Sequence, residues 1–181
     1  MIDMRVASSA DYDRIDALDD SFTTDRIFHV TGGDSGFEIR SVAVQPPLRK
    51  EYPADPEADL GDDEDEVDDG HHTVVAVEGE RILGFVTVSY AEWNQRARIE
   101  QITVDPEYRG KGLGGALMAR AESYGRKAGA RTLWLEVTHV NAPAVRAYRR
   151  FGFEVCGLDT SLYVGTPAEG EIALFMSKSL D

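Results

Sequence analysis

The chain has 181 residues, with 19 basic and 33 acidic side chains and a formal charge of −14. This length suits one domain with a real core, and a hydrophobic fraction of 42% argues against wholesale disorder. The acidity argues against a nucleic-acid partner, because such proteins need surplus lysine and arginine. The single Cys156 excludes a disulfide framework and a multi-cysteine zinc site, so no metal is expected. Without a signal-peptide pattern or a long apolar run, we expect a cytoplasmic protein with no membrane partner.

The negative charge is concentrated in one segment. Residues 55–69 hold ten acids and no base, whereas residues 96–151 carry 11 bases and five acids, a net charge of +6. We expect the acidic run to lie in a mobile loop over residues 53–70. Two further interpretations stay open. The run attracts a cationic substrate, or it reflects a high-salt habitat, which the four lysines against 15 arginines also fit.

The elements predicted for the first 54 residues are few. Residues 4–7 form a candidate strand, and helical spacing predicts a helix over residues 9–19. Residues 37–44 alternate as a strand does, and Pro46-Pro47 is expected to end that strand. The remainder of residues 20–54 shows no clear pattern.

From residue 73 onward the patterns are stronger. Antiparallel strands come first, followed by a strand-helix-strand unit and two closing strands. This order favours a single α+β domain over residues 1–181, with its motif-bearing core over residues 73–178. The predicted strands cover residues 73–78, 81–90, 97–104, 131–137, 153–158 and 171–177, and the predicted helices cover residues 113–128 and 141–150.

A glycine-rich loop lies between a predicted strand and a predicted helix. Four of the six residues from Gly110 to Gly115 are glycine, which lets the backbone approach a ligand closely. Main-chain N–H groups at a helix N-terminus favour an anion, and Arg109 and Lys111 add positive charge. The loop therefore predicts a phosphate or pyrophosphate site.

Three motifs compete for this loop. A Walker A loop does not fit, because no serine or threonine stands at the required place. Residues Gly110 to Gly115 match the dinucleotide pattern Gly-x-Gly-x-x-Gly, and Glu136 lies where a ribose-binding acid belongs, although little chain remains for that fold. Residues Arg109 to Gly114 match a third pattern, Arg/Gln-x-x-Gly-x-Gly/Ala.

The third pattern is the signature of the GNAT superfamily of N-acetyltransferases, which the sequence resembles from about Thr73 to its end. Two further blocks agree in order, the strand over residues 99–104 and the helix over residues 141–148. Within the superfamily the chain is most similar to streptothricin acetyltransferases. The stretches that carry this similarity are residues 93–94, 99–104, 135–137 and 157–163. The chain departs from those proteins at residues 138–141 and 173–176, which bear on the acyl acceptor.

The resemblance implies a mixed, mostly antiparallel central sheet that is flanked by helices and splayed where acetyl-coenzyme A binds. Strand residues would pair with the pantetheine arm, and loop amides would hold the pyrophosphate. Asn141 would support the arm or its thioester, or simply cap a helix. The implied cofactor-binding residues are Ile102, Thr103, Val104, Arg109, Gly110, Lys111, Gly112, Leu113, Gly114, Gly115, Asn141 and Ala144.

The implied reaction transfers an acetyl group to a primary amine by direct attack. A lysine-like ammonium has a pKa of about 10.4, so a base must accept a proton, and Glu100 is the implied base, directly or through water. The leaving thiolate then needs a proton, for which Tyr148 is the implied donor. The candidate acceptor-pocket residues are Trp93, Asn94, Asp159 and Tyr163.

The acceptor itself stays open at this point. A small streptothricin-like cation and a basic peptide or protein amine, such as a ribosomal N-terminus, both fit the superfamily. Two other classes of protein also remain: a non-catalytic sensor of coenzyme A, and a nucleotide-dependent oxidoreductase that uses the Gly-x-Gly-x-x-Gly match. We expect a monomer or a homodimer.

Overall fold

The computed structural model of the chain describes residues 1–51 and 70–181. The acidic run over residues 55–69 lies outside the described residues, as does all but the last residue of the loop predicted over residues 53–70. Within the described ranges, no helix is long and apolar enough to cross a membrane.

The described residues form nine strands and three α-helices. The strands are β1 (Asp3–Val6), β2 (Phe22–Gly33), β3 (Gly36–Lys50), β4 (His71–Glu78), β5 (Arg81–Ala91), β6 (Arg96–Val104), β7 (Thr132–Thr138), β8 (Glu154–Asp159) and β9 (Ala173–Ser179). The helices are α1 (Tyr12–Asp16), α2 (Leu113–Ala128) and α3 (Ala142–Arg150). Short 3-10 turns occupy Ser9–Asp11, Glu92–Asn94 and Pro106–Tyr108.

Seven of these strands form one sheet in the order β1-β4-β5-β6-β7-β9-β8, and β2 pairs with β3 in a separate hairpin. Among the described strands, only β6 and β7 pair in parallel, and α2 connects them. All the other pairs are antiparallel. This arrangement confirms the mixed α+β sheet and excludes the doubly wound parallel sheet of a dinucleotide-binding fold.

The sheet is covered on both faces, because its central strands are apolar on both sides. On β4, Val74 and Ala76 belong to the larger core cluster, whereas Val75 and Val77 belong to a second cluster on the other face. Helix α2 buries one side against the larger cluster, and α1 contributes Ile15 to the smaller one. The parallel connection through α2 thus places the N-terminus of that helix at the end of β6.

The predicted elements after residue 71 are confirmed to within two residues at each boundary. The helix predicted over residues 9–19 is wrong in extent, because a 3-10 turn precedes a short α1 that ends at Asp16. Asp11 is buried there and accepts hydrogen bonds from Arg5 and Ser8. Just beyond α1, Asp19 accepts a hydrogen bond from the Ser21 amide. Such short polar side chains compete with helical hydrogen bonds.

The strand predicted over residues 37–44 extends to Lys50, and its partner β2 was not predicted. Pro46-Pro47 does not end the strand, because the register shifts there: Thr24 pairs with Leu48, whereas Arg26 pairs with Ala43. The prolines therefore lie at an irregularity where no ladder hydrogen bond is required of them.

Gly84 on β5 marks a close approach between strands. A Cβ at this position would lie 2.7 Å from the Thr103 carbonyl oxygen and 3.2 Å from Leu117 Cδ1. We expect Gly84→Ala to lower the free energy of unfolding by about 1–3 kcal/mol, as overpacking does, measured by urea denaturation. Gly33→Ala is the control, because its Cβ would meet nothing within 4 Å. Equal stability of the two variants would contradict this expectation.

Candidate active site

The parallel strands β6 and β7 separate part of the way along their length. Their register runs from Arg96 opposite Thr132 to Ile99 opposite Leu135, and the described strands show no pairing between them beyond that point. β6 nevertheless continues to Val104 along β5, and β7 continues to Thr138 along β9. The gap between residues 100–104 and residues 136–138 is called the seam below. Its presence confirms the splayed sheet.

The seam opens into a cleft of about 820 Å³, a volume in the range of cofactor sites. Both edges of the seam line the cleft, together with the glycine loop and the inner side of α3. Of the residues implied by resemblance, the cleft is lined by Glu100, Ile102, Thr103, Val104, Arg109, Gly110, Gly112, Gly114, Gly115, Asn141, Ala144, Tyr148 and Tyr163.

The glycine loop leaves space for a ligand at the N-terminus of α2. Gly110 and Gly112 have φ angles of 75° and 88°, which side-chain-bearing residues rarely adopt. A Cβ on Gly114 would lie 3.7 Å from Val104 Cγ2, and one on Gly115 would lie 3.4 Å from Phe151 Cε1, so neither glycine is required by protein packing. The first-turn amides of α2 lack intrahelical partners and are suited to an anion. These residues fit the pyrophosphate of a nucleotide-containing cofactor.

The Arg109 guanidinium is directed at the protein itself. It donates hydrogen bonds to three main-chain carbonyls: Val104 at 2.8 Å, Asp19 at 2.8 Å and Ser21 at 2.5 Å. A planar guanidinium holds such a set of acceptors in fixed positions. Arg109 therefore fastens the end of β6 to the segment before β2, from which Asp20 and Phe22 line the cleft.

The other loop side chains also have protein contacts. Lys111 Nζ lies 5.0 Å from the centre of the Tyr108 ring, and Leu113 is buried in the core. Neither residue is among those that line the cleft. The main chain of the loop, more than its cationic side chains, thus faces the place where an anion would lie.

Glu100 occupies a β-bulge on the edge of the seam. The register between β5 and β6 shifts there, with Val88 opposite Ile99 and Thr87 opposite Gln101. Bulges commonly redirect a side chain beside an active site. Ser89 Oγ donates a hydrogen bond to the Glu100 carboxylate at 2.5 Å, Arg98 Nε lies 3.0 Å from it, and His71 Nε2 lies 4.0 Å from it. The carboxylate is thereby oriented at the start of the seam.

Helix α3 provides the opposite wall of the cleft. Asn141 caps this helix, since its side-chain oxygen accepts a hydrogen bond from the Ala144 amide at 3.1 Å. Tyr148 is half-buried one turn further on, with its ring centre 6.0 Å from that of Phe153. Both residues line the cleft, and Arg150 adds positive charge to the same wall.

The candidate acceptor-pocket residues are separated by the fold. Tyr163 lines the cleft, and its hydroxyl donates a hydrogen bond to Glu136. Trp93 is 87% exposed, and neither it nor Asn94 is among the residues that line the cleft. Asp159 is also outside this set, and its carboxylate accepts hydrogen bonds from the Ser161 amide and hydroxyl, both at 2.7 Å. Asp159 therefore stabilises a turn.

Three acidic residues that line the cleft were not among the predicted site residues. Glu136 on β7 and Glu171 before β9 both line the cleft, and burial raises the pKa of the Glu136 carboxyl. Burial likewise raises the pKa of Asp20. The sequence signal for Glu136 was a carboxylate inside a β-rich run, where acids are uncommon. The sequence links Glu136 to ribose binding and to a stretch of family resemblance, but not to the acceptor pocket. Within residues 1–51 and 70–181, no group of three potential metal ligands was found.

An anion site that leads into a seam of unpaired strand edges has the shape for an elongated cofactor, whose pyrophosphate would lie at the helix N-terminus and whose amide-containing arm would lie between the strands. This is the construction of an acyltransferase that uses coenzyme A. The resemblance described above implies the same class.

Comparisons with known proteins identify the family. The profile of the acetyltransferase (GNAT) family matches residues 38–153. Streptothricin acetyltransferase of Streptomyces lavendulae is 49% identical over 176 residues, which are 97% of this chain and 93% of that protein. The chain belongs to the acetyltransferase (GNAT) family and is an N-acetyltransferase that uses acetyl-coenzyme A.

Two crystal structures resemble the whole fold. A nourseothricin acetyltransferase is 48% identical, with a TM-score of 0.89 and 99% of both chains covered. A putative streptothricin acetyltransferase from Bacillus anthracis, solved in complex with acetyl coenzyme A, is 26% identical, with a TM-score of 0.79 and 99% of both chains covered.

The left-handed conformation of Gly112 allows a direct test of the anion site. We expect Gly112→Ala to weaken coenzyme A binding by about tenfold or more, because a strained N-cap displaces the first amides of α2. Titration calorimetry measures the loss. Gly79→Ala is the matched control: Gly79 has a φ of 62° in the exposed β4–β5 turn, away from the cleft. The two variants should lose similar stability, and equal coenzyme A affinity in both would refute the assignment.

Proposed function

We propose that this protein acetylates a primary amine of a streptothricin-like cation, with Glu100 as the base and Tyr148 as the acid. The observation that carries the proposal is the 49% identity to a streptothricin acetyltransferase, which extends over 97% of the chain and so includes both walls of the cleft. A shared family profile alone would leave the acceptor undefined.

The charges around the seam support a cationic acceptor. Four carboxylates line the cleft: Asp20, Glu100, Glu136 and Glu171. Carboxylates in a partly enclosed cleft attract an ammonium more strongly than they would in open water, because the surrounding dielectric is lower. A polycation would therefore be held with an amine near the seam.

Proton transfer accounts for the two proposed catalytic roles. Acetyl-coenzyme A supplies the acetyl group as a thioester. Glu100 is held at the start of the seam by Ser89 and Arg98, where it would accept the proton that an ammonium must lose before attack. Tyr148, across the cleft on α3, would donate the proton that the departing thiolate takes up. The nitrogen loses a second proton as the amide forms, so an ammonium and acetyl-coenzyme A yield the amide, free coenzyme A thiol and one proton released to solvent.

Removal of the base is expected to slow turnover in a pH-dependent manner. We expect Glu100→Gln to lower kcat with streptothricin by about 100-fold or more near pH 7, with coenzyme A affinity unchanged. The ratio of wild-type kcat to Glu100→Gln kcat should fall about tenfold for each unit that the pH rises, because the fraction of uncharged amine rises in that proportion below a pKa of about 10.4. Thiol release from acetyl-coenzyme A measures the rate. Glu154→Gln, which neutralises an exposed carboxylate on β8, is the control.

Loss of the proposed acid is tested in the same assay. We expect Tyr148→Phe to lower kcat by about 100-fold with little effect on coenzyme A binding. Tyr12→Phe, at a tyrosine that is 51% exposed on α1, should keep full activity. Undiminished turnover in both Glu100→Gln and Tyr148→Phe would exclude these catalytic roles. Thiol release by the wild-type protein with basic peptides but not with streptothricin would exclude the proposed acceptor.

A further inference from the structure

Glu136 lines the cleft but takes no part in the proposed proton transfers. It directly follows Leu135, the last residue of β7 that pairs with β6, so it stands at the start of the seam. Glu100 directly follows Ile99, the partner of Leu135, and so occupies the matching position on the other edge. Both glutamates line the cleft.

The polar surroundings of Glu136 differ from those of the other two glutamates in the cleft. Glu100 is paired with Arg98, and Glu171 is paired with Lys50 and accepts a hydrogen bond from Thr138. In the part of the chain that the structure describes, no lysine, arginine or histidine forms an ion pair with Glu136. Its described hydrogen-bond partner is the Tyr163 hydroxyl, which holds one carboxylate oxygen.

A half-buried carboxylate without a cation is costly to the folded protein. Burial and the nearby Glu171 raise the pKa of Glu136, and the Tyr163 hydrogen bond and the more distant Arg98 offset this only in part. A buried charge is normally compensated by a partner or moved to the surface. A site that retains such a charge within a ligand cleft is suited to bind a cation from outside the protein.

The position of Glu136 limits where that cation would be. Neighbouring strands lie about 4.8 Å apart, and β6 and β7 diverge here, so a charge on Glu136 lies roughly one strand spacing or more from Glu100. A diamine with a short linker spans that separation. One amine would lie beside Glu100 for acetylation, and the other would lie beside Glu136.

We propose that Glu136, oriented by Tyr163, is a specificity-determining residue that binds the second ammonium group of the acceptor, so that the enzyme selects diamines over monoamines. This inference rests on the proposed transfer to a cationic amine. It adds the class of acceptor: a molecule with two ammonium groups close together.

The proposal is tested with the full chain saturated with coenzyme A, at low salt. Titration calorimetry compares streptothricin, putrescine and its monoamine counterpart n-butylamine on the wild-type protein and on Glu136→Gln. We expect Glu136→Gln to bind the two polyamines about tenfold more weakly, which corresponds to one partly buried ion pair, and to bind n-butylamine within about twofold of wild type. Glu154→Gln should match the wild type with all three amines.

The melting temperature of Glu136→Gln distinguishes a binding role for Glu136 from a merely structural one. With its pKa raised, Glu136 takes up a proton more readily in the folded chain than in the unfolded one, so wild-type stability falls as pH rises through the range above its ordinary pKa of 4.5. Glu136→Gln has no carboxyl at this position and does not lose stability in this way. We therefore expect the difference in melting temperature, variant minus wild type, to be larger at pH 7 than at pH 4. If the carboxylate served mainly to hold Tyr163, the variant would melt lower than wild type at pH 7.

The outcomes separate this inference from the proposed function. If the wild type acetylates streptothricin but Glu136→Gln binds it equally well, the inference is wrong and the proposed function stands. Suppose instead that the wild type does not acetylate streptothricin but binds putrescine more tightly than n-butylamine, and that Glu136→Gln lacks this preference. The proposed acceptor is then wrong and the inference stands. A wild-type protein that does not prefer putrescine to n-butylamine contradicts the inference.

Discussion

The hydrogen bonding between β6 and β7 that stops after Ile99 and Leu135 is the constraint on which the site depends. Main-chain N–H and C=O groups within a protein need partners, so two strands that separate must find others or face a ligand or water. The outer neighbours β5 and β9 follow β6 and β7 to their ends, so each strand keeps a hydrogen-bonded partner on its outer side while the seam stays open. The opening is therefore a property of the sheet and does not require a loop to move.

The connection through α2 brings the anion site to this opening. A parallel strand pair needs a crossover, and the crossover helix begins where β6 ends. Its N-terminal amides consequently lie at the wide end of the seam, and the loop that leads into it contains glycines at Gly110 and Gly112, where φ is positive. Arg109 in this loop donates hydrogen bonds to the Val104 carbonyl at the end of β6 and to the Asp19 and Ser21 carbonyls in the segment before β2. The arginine of the motif thus holds the segments around the cleft in position.

Local patterns in the sequence predicted the second part of the fold and the cofactor end of the site. The segments that form β4 to β9, α2 and α3 have apolar periodicities that are visible within each segment of the sequence. The glycine loop is visible in the same way, because its backbone angles require glycine. The β2–β3 hairpin was missed because its proline pair lies at a register shift that only the partner strand reveals. The contacts of Arg109 and the place of Glu136 opposite Glu100 depend on chain segments far apart in sequence, so local patterns did not predict either arrangement. Trp93 and Asp159 were candidates from their residue types and from the stretches of resemblance that contain them, and the fold leaves them outside the cleft lining.

The net charge of −14 conceals a division within the cleft itself. At one end, helix amides and Arg150 on α3 suit the phosphates of a polyanionic cofactor. At the start of the seam, Glu100 and Glu136 occupy matching positions on opposite edges, the first with cationic neighbours and the second held by a tyrosine. Opposite charges at the two ends of one cleft favour opposite charges on the two ligands, so an anionic donor and a cationic acceptor would each be drawn to its own end. The reacting groups would then meet where the strands separate.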